Sequence, residues 1–405
     1  MGDFAVPEYV LRALKYLEAN NFEAYLVGGC VRDMLMGIVP HDYDITTNAL
    51  PGQVIKCFSQ FRVIETGIKH GTVTVIIDGN QIEITTYRVD GSYSDNRRPD
   101  NVSFSQSLEN DLSRRDFTMN AIAYNPSLGI VDPFNGREDI KNKTIVCVGK
   151  ADKRFKEDSL RILRAMRFAA RLGFKVEGKT ALAADENALL LNNISKERIY
   201  AELLRILEAD FPAAVLYRFK KQLFVIVHEL EDLSSNDLSA VFEAIDRSEN
   251  DKFIRLSILF WHLGASVAKE VLLRLKADRH TIETVCLLIK NGSISIETNE
   301  IFAKRLLREL PYENILRLIG FLSAIKFECV YELEKLSKMV DTVYIRGDCT
   351  SVSALAIGGT QLIEENIASG AEIGVMLNRL LDLVIEGTLK NEKDTLIDAA
   401  KKLRQ

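Results

Sequence analysis

Asp42 and Asp44 occupy alternate positions of "HDYDITT", with apolar or β-branched residues at Tyr43, Ile45, Thr46 and Thr47. That alternation reads as a strand carrying both carboxylates on one face. Side chains two residues apart on a strand stand roughly 6.5–7 Å apart. Two carboxylates at that distance repel by about 2.5 kcal/mol at an effective dielectric near 20. On a wet surface this cost is trivial. In a cleft it calls for a cation, and magnesium takes one or two carboxylates together with water and substrate phosphate. Upstream, "AYLVGGCVRDMLMG" reads as an apolar strand, the pair Gly28-Gly29 and a short helix. Bare backbone N–H groups at Gly29 and the helix start favour an anion. Arg32, one turn in, adds a fixed positive charge suited to phosphate. Either feature alone is an ordinary turn or a solvated pair. Together they suggest a nucleoside triphosphate with Mg2+.

Further candidates lie downstream. "IEITT" places Glu83 opposite Ile82 and Ile84, so a strand beside Asp42 and Asp44 would complete a three-carboxylate cluster. Such a cluster can hold two metals that clamp the attacking and leaving oxygens of an in-line displacement. "SRRDFTMNA" sets Arg114 and Arg115 beside Asp116, which would hold one of the two guanidiniums toward a phosphate. "EDSLRILRAMRFAARLGF", 157–174, reads as one helix with an apolar stripe of Leu160, Leu163, Met166, Phe168 and Ala169. On it Asp158, Arg161 and Arg164 step by three and share an arc of about 120°. One acceptor and two bidentate donors match the mixed edge of a nucleobase. Arg167 continues the series. "GFKVEGKT", 173–180, fits the Walker A pattern and "VIID", 75–78, a Walker B strand. A P-loop needs a buried strand before its first glycine, whereas Gly173 ends an arginine-rich helix. That reading is set aside.

The elements that must position these groups follow from the rest of the chain. At 405 residues it is too long for one compact domain. With 47 % hydrophobic residues each part can bury a core. The net charge of −5 argues against a nucleic-acid partner until its distribution is read. Residues 141–175 hold eleven Lys or Arg against three Asp or Glu, a basic island suited to nucleotide or RNA. Six scattered cysteines without a CxxC pair indicate neither a disulfide framework nor zinc. No apolar run approaches a membrane span, the longest lying near "LSILFWHLGASVA", and the N-terminus carries no leader pattern, so a cytoplasmic protein is expected.

Residues 1–20 read as an amphipathic helix through Val10, Leu11, Leu14 and Leu17. Strands are expected at 24–28, 42–47 and 62–64, with "TVTVIID" and "QIEITTYR" joined at Gly79-Asn80. Residues 88–112 are polar and aperiodic, and a loop of that length inside a compact domain is either functional or disordered. "KTIVCVG" is expected as the last strand of this region, and from 153 onward the pattern is helical.

In this order "LVGGCVRDMLMG…HDYDITT", "GIKHGTVTV", "IEITTYR", "RRDFTMNAIAYN", "VDPFNGREDI" and "RFKEDSLRILRAMRFAARLGF" resemble class II CCA-adding tRNA nucleotidyltransferases, which belong to the polymerase-β-like nucleotidyltransferases. "ALAIGGTQLIEENIASGAEIGVMLNRLLDLVIEGTLKN" is similar to their tail. The resemblance implies an α+β chain: a mixed α/β nucleotidyltransferase head at 1–148, then an all-helical neck at 149–212, body at 213–330 and tail at 331–405. It implies metals on Asp42 and Asp44, with Glu83 as third carboxylate. Gly29, Arg32 and Arg115 would meet the triphosphate and sugar. Asp158, Arg161 and Arg164 would pair with the base of CTP or ATP, and Arg167 would support the phosphates. The substrates would be CTP, ATP and the 3′ end of tRNA, with Mg2+ as cofactor and no membrane partner. A homodimer is compatible with this reading. The histidine-rich phosphohydrolase signature of larger bacterial relatives is absent. A-adding enzymes and bacterial poly(A) polymerases share much of the head, and a P-loop ATPase is the rival from another class.

Overall fold

The structure is a computed structural model that describes residues 4–91 and 102–404. Residues 92–101, the middle of the polar loop expected at 88–112, lie outside the described residues, and its two ends are not loop but strands (88–90 and 102–104) and a helix from 108. The chain divides into two compact units, Met1–Asp232 and Leu233–Gln405.

The first unit opens with helix α1 (Glu8–Ala19), strand β1 (Ala24–Val27), helix α2 (Gly29–Leu35) and strand β2 (Asp44–Thr47). Helix α3 (Pro51–Cys57) leads to β3 (Arg62–Ile64), β4 (Thr72–Ile77) and β5 (Asn80–Thr86). A short ribbon of β6 (Arg88–Asp90) and β7 (Val102–Phe104) precedes α4 (Leu108–Ser113). Strands β8 (Ala123–Asn125) and β9 (Gly129–Val131), helix α5 (Gly136–Lys141) and β10 (Thr144–Ile145) follow. Next come α6 (Ala151–Glu157), α7 (Leu160–Leu172), β11 (Lys175–Val176), α8 (Gly178–Glu186), α9 (Lys196–Leu207), α10 (Pro212–Arg218) and α11 (Lys220–Ile226).

Seven strands form one sheet in the order β3-β4-β5-β2-β1-β8-β9. Only β2 and β5 run parallel; the other neighbours are antiparallel. Alternation decides which faces are buried. Val73, Val75 and Ile77 of β4 and Ile82 and Ile84 of β5 are fully buried, each such side chain stabilising the fold by about 1.5–3 kcal/mol. On α1 the buried face is Val10, Ala13, Leu14 and Leu17, with Leu11 half-buried beside it.

Several local expectations change. β2 begins at Asp44, and Asp42 sits in a bend before it. The reason is the partner: β1 pairs Leu26 with Ile45 and then turns into α2 at Gly28, so no antiparallel strand remains opposite Asp42. The hairpin turn is Asp78-Gly79, with Ile77 paired to Asn80. Both central residues take positive φ, 51° and 81°, as a primed two-residue turn requires. "KTIVCVG" contributes only Thr144 and Ile145 as strand, paired in parallel with β11 and apart from the main sheet. The helix expected over 157–174 is two helices. Asp158 lies between them in extended conformation and accepts the Leu160 N–H at 3.2 Å.

The second unit is helical, with ten α-helices among its described residues. Lys252–Arg274 is long and apolar enough to cross a membrane by length and composition, contrary to the expectation that no run approaches this. It is two helices, Lys252–Phe260 and Gly264–Arg274, with Gly264 at φ 79° after a short 3-10 turn. Phe253 to Phe260 are all buried in the unit. A separate apolar cluster forms near the C-terminus around Leu362, Leu380, Leu381 and Leu396.

Candidate active site

The parallel pairing of β2 with β5 sets Asp44 directly opposite Glu83. Asp42, just outside the strand, is close enough to act on Asp44. Asp44 is open to water yet flanked by protein on several sides. Burial, Glu83 and Asp42 push its carboxyl up to about 6, against the pull of Arg115. Crowded oxygen donors that resist their own ionisation suit a hard divalent cation. Only Asp44 and Glu83 are in register, Asp42 lying in the bend before β2, and among the described residues no three of His, Cys, Asp and Glu form a ready metal cage, so the expected three-carboxylate cluster is not closed.

Gly28 ends β1 at φ 81°, ψ −132°, a conformation open to glycine and strained for other residues. A Cβ there would lie 3.1 Å from Arg115 Nη1 and 4.0 Å from Asp44 Oδ2. Gly28 is therefore the point where the Arg115 guanidinium and the Asp44 carboxylate approach the backbone. Gly29 is the first residue of α2, near Arg32. The Arg115 Nε is buried without a hydrogen-bond partner, a donor free for an anion. Arg32 is less available than expected. It is 4 % exposed, with Nε and Nη2 on Asp33 at 2.8 and 2.7 Å and Nη1 on Asn120 at 2.9 Å.

Arg115 also lines a cavity of about 250 Å³ with Arg114, Asp158, Arg161, Arg164 and Arg198, completed by Asp116 and Leu160. Five guanidiniums thus face two carboxylates, a field for an anion with a polar edge. The arginines are held by acids. Asp111, fully buried, accepts from Arg114 at 2.9 and 2.7 Å, from Arg115 at 3.2 Å and from Thr46 of β2 at 3.2 Å. Burial would raise the Asp111 carboxyl, but the two arginines hold it below its ordinary value. Asp116 accepts from Arg164 at 2.8 and 2.5 Å and from Asn120 at 3.1 Å. Burial opposes its charge, yet Arg164, Asn120 and the Phe117 N–H hold it down at about 2. The expected pairing of Asp116 with Arg114 or Arg115 is therefore corrected: after the turn at Arg115 the Asp116 carboxylate points to α7, and Asp111 takes the two arginines.

Asp158 lines the cavity from the link between α6 and α7, with Arg198 Nη2 at 3.8 Å. Burial raises its carboxyl despite Arg198, Arg161 and Arg164. Arg161 donates to Glu157 at 3.1 Å and to the Arg114 carbonyl at 3.0 Å, so it also braces the cavity wall. Arg167 stands apart, 2.9 Å from Glu202, and burial lowers it to about 10. Sequence reasoning passed over Asp111, Asn120 and Arg198, whose sequence neighbourhoods carry no distinguishing pattern. Gly28 had a signal, since a strand-to-helix turn at positive φ selects glycine. The Walker-like segment is no P-loop: Gly173 caps α7 at φ 65°, Thr180 is bound to Glu177, and Lys179 is exposed in the first turn of α8.

Known proteins resemble the chain over most of its length. Residues 24–146 match the family described as the poly A polymerase head domain, and 247–400 match tRNA nucleotidyltransferase domain 2. Residues 173–222 match a probable RNA and SrmB-binding site of polymerase A. The CCA-adding enzyme of Lactobacillus helveticus is 35 % identical over 420 residues, covering 96 % of both chains. That of Geobacillus kaustophilus is 47 % identical over 209 residues, covering 52 % of this chain and 51 % of the relative. The Bacillus stearothermophilus CCA-adding enzyme in complex with CTP superposes with a TM-score of 0.79 at 29 % identity, covering 98 % and 97 % of the two chains.

Proposed function

Because this chain belongs to the CCA-adding enzymes, and so is a tRNA nucleotidyltransferase, we propose that it adds C, C and A in turn to the 3′ end of tRNA from CTP and ATP, releasing pyrophosphate. The observation that carries this reading is Arg115. It approaches Asp44 beside Gly28 and also lines the cavity of Asp158 and Arg164, so one extended ligand can span both. A nucleoside triphosphate has that form, with phosphates at one end and a donor–acceptor base edge at the other.

In this mechanism Asp42 and Asp44 would hold divalent metal, Mg2+ in our reading, with Glu83 behind them. When bound, the metal lowers the barrier by stabilising charge on the attacking 3′-oxygen and the leaving pyrophosphate. Arg115 and the Gly28-Gly29 backbone seat the phosphates, and Arg32 adds positive field from behind. Asp158 accepts from the base, and Arg161 and Arg164 present donors. Protein groups thereby take the place of a template. Arg167 acts at one remove through Glu202. The four-part division at 148, 212 and 330 is retained as our proposal for how the chain serves this reaction. The test is to incubate the protein with tRNA transcripts ending before CCA, supplying CTP and ATP singly and together. Two C additions with CTP and a complete CCA with both are expected. A-addition alone on transcripts ending in CC would favour the A-adding reading, and a long A tail the poly(A) polymerase.

A further inference from the structure

Three arginines gather around one aromatic ring. The guanidinium carbons of Arg32, Arg164 and Arg167 lie 5.3, 5.6 and 4.7 Å from the centroid of Phe168. Arg164 and Arg167 reach it from the same helix, Arg164 from one turn earlier. Arg32 comes from α2. Each has its own acid, Asp33, Asp116 and Glu202. A carboxylate fixes one edge of a guanidinium and leaves its plane free to tilt. For Arg164 and Arg167 the ring supplies the second restraint, and for Arg32 it adds to the bond from Nη1 to Asn120, since its electron-rich face attracts cations that would otherwise repel one another. Phe168 is itself oriented by Phe117, edge-on at 5.8 Å and 85°, and Phe117 follows Asp116 in the chain. Adjacent residues thus fix Arg164 through its acid and through its ring. An aliphatic side chain of equal volume would fill the space without restraining the charges.

Resting on the nucleotidyltransferase reading above, we propose that Phe168 is a positioning residue that sets the base-reading Arg164 and the phosphate-side Arg32 as one unit. Seating of the triphosphate and selection of the base are then coupled through a group that touches neither. The test replaces Phe168 in the full chain with 4-fluoro-, 3,5-difluoro- and pentafluorophenylalanine, which keep the shape and progressively remove the negative face. KM for CTP and ATP should rise stepwise with fluorine content, by about threefold to tenfold across the series. Preference over UTP should fall in step, while kcat and Tm stay near wild type. Phe168→Leu should raise KM at least as much as the pentafluoro variant; if it fails to fold, the near-isosteric fluorinated series decides alone. A flat KM and unchanged selectivity across the fluorinated series, with a wild type that adds C and A, would overturn the role of Phe168. A wild type that adds neither overturns the functional reading instead.

Discussion

On strands β2 and β5 the charges of the site are crowded, whereas on helix α7 they are paired. Asp44 faces Glu83 in register with Asp42 nearby, and its carboxyl is pushed up to about 6. Arg161, Arg164 and Arg167 are each met by an acid, at 3.1, 2.5 and 2.9 Å. The first half is unfinished without a cation. The second is preorganised before any ligand arrives. In the proposed mechanism, positive charge that must come and go with each substrate would be left to a metal, while positive charge that must hold a fixed geometry is built into the chain.

The largest effect that would break this contrast is on the strand side. Asp44→Ala should lower incorporation of both CMP and AMP by about a hundredfold or more, because metal clamping supplies several kcal/mol of transition-state stabilisation. tRNA affinity should hold within about twofold. Steady-state incorporation and a tRNA binding titration read the two quantities, and more than a tenth of wild-type activity would remove Asp44 from the metal site.

On the helix side the expected loss is one of choice. Asp158→Ala and Arg164→Ala would each leave a polar group of the bound base without its protein partner, a penalty of about 1–3 kcal/mol per group. Preference for CTP and ATP over UTP and GTP should fall by about tenfold to a hundredfold. Measuring kcat/KM for all four triphosphates on one tRNA decides it: wild-type ratios at lower rate would make Asp158 merely a helix-linking residue.

The same chemical change should have opposite signs on the two halves. Asp116 is held at about 2 in the fold, below an ordinary aspartate, so its contribution is present above pH 4 and lost as pH falls through 2. Asp116→Asn should cost about 2 kcal/mol at neutral pH, and the difference from wild type should close toward pH 2. Asp44 is raised, so folding favours its proton, and that contribution is lost as pH rises through about 6. With metal chelated, Asp44→Asn should stabilise the protein above pH 6, by no more than about 1 kcal/mol after discounting for solvent screening. Thermal melts of both variants from pH 2 to 8 provide the measurement. Destabilisation by Asp44→Asn in chelator would mean that the strand carboxylates are not strained.

How far this contrast is legible in the sequence differs between the halves. Asp42, Asp44 and Glu83 are visible because strand alternation separates them from Ile45, Ile82 and Ile84, which are buried. Their juxtaposition is less visible, since the parallel pairing of β2 with β5 is a long-range choice. On the helix side, residue types point to an anion and a polar edge, but not to partners. Asp116 stands next to Arg115 in the chain yet binds Arg164, 48 residues away, because the turn between them reverses its direction. The break at Asp158 is hidden for another reason: a single extended residue between two helices leaves the apolar periodicity almost intact. Phe168 reads as one more member of an apolar stripe, and only three dimensions show the cations around it.

The smallest expected effect concerns a residue in neither half. Lys179 completes a Walker-like pattern, and in a working P-loop it would hold the β- and γ-phosphates, so that Lys179→Ala would leave almost no activity. The surroundings argue otherwise. Gly173 closes α7 in a left-handed cap, the only strand within the pattern is the two-residue β11, and Thr180 binds Glu177 at 2.8 Å rather than facing a phosphate loop. Lys179 itself is exposed to solvent in the first turn of α8. An exposed lysine away from the reacting groups changes stability or turnover by less than about 0.5 kcal/mol, or under threefold in rate. Lys179→Ala should therefore retain CMP and AMP addition within threefold, measured beside Asp44→Ala on the same tRNA. An inactive but folded Lys179→Ala would move the phosphate site to α8, and the pairing of crowded carboxylates with braced arginines would lose its place as the reaction centre.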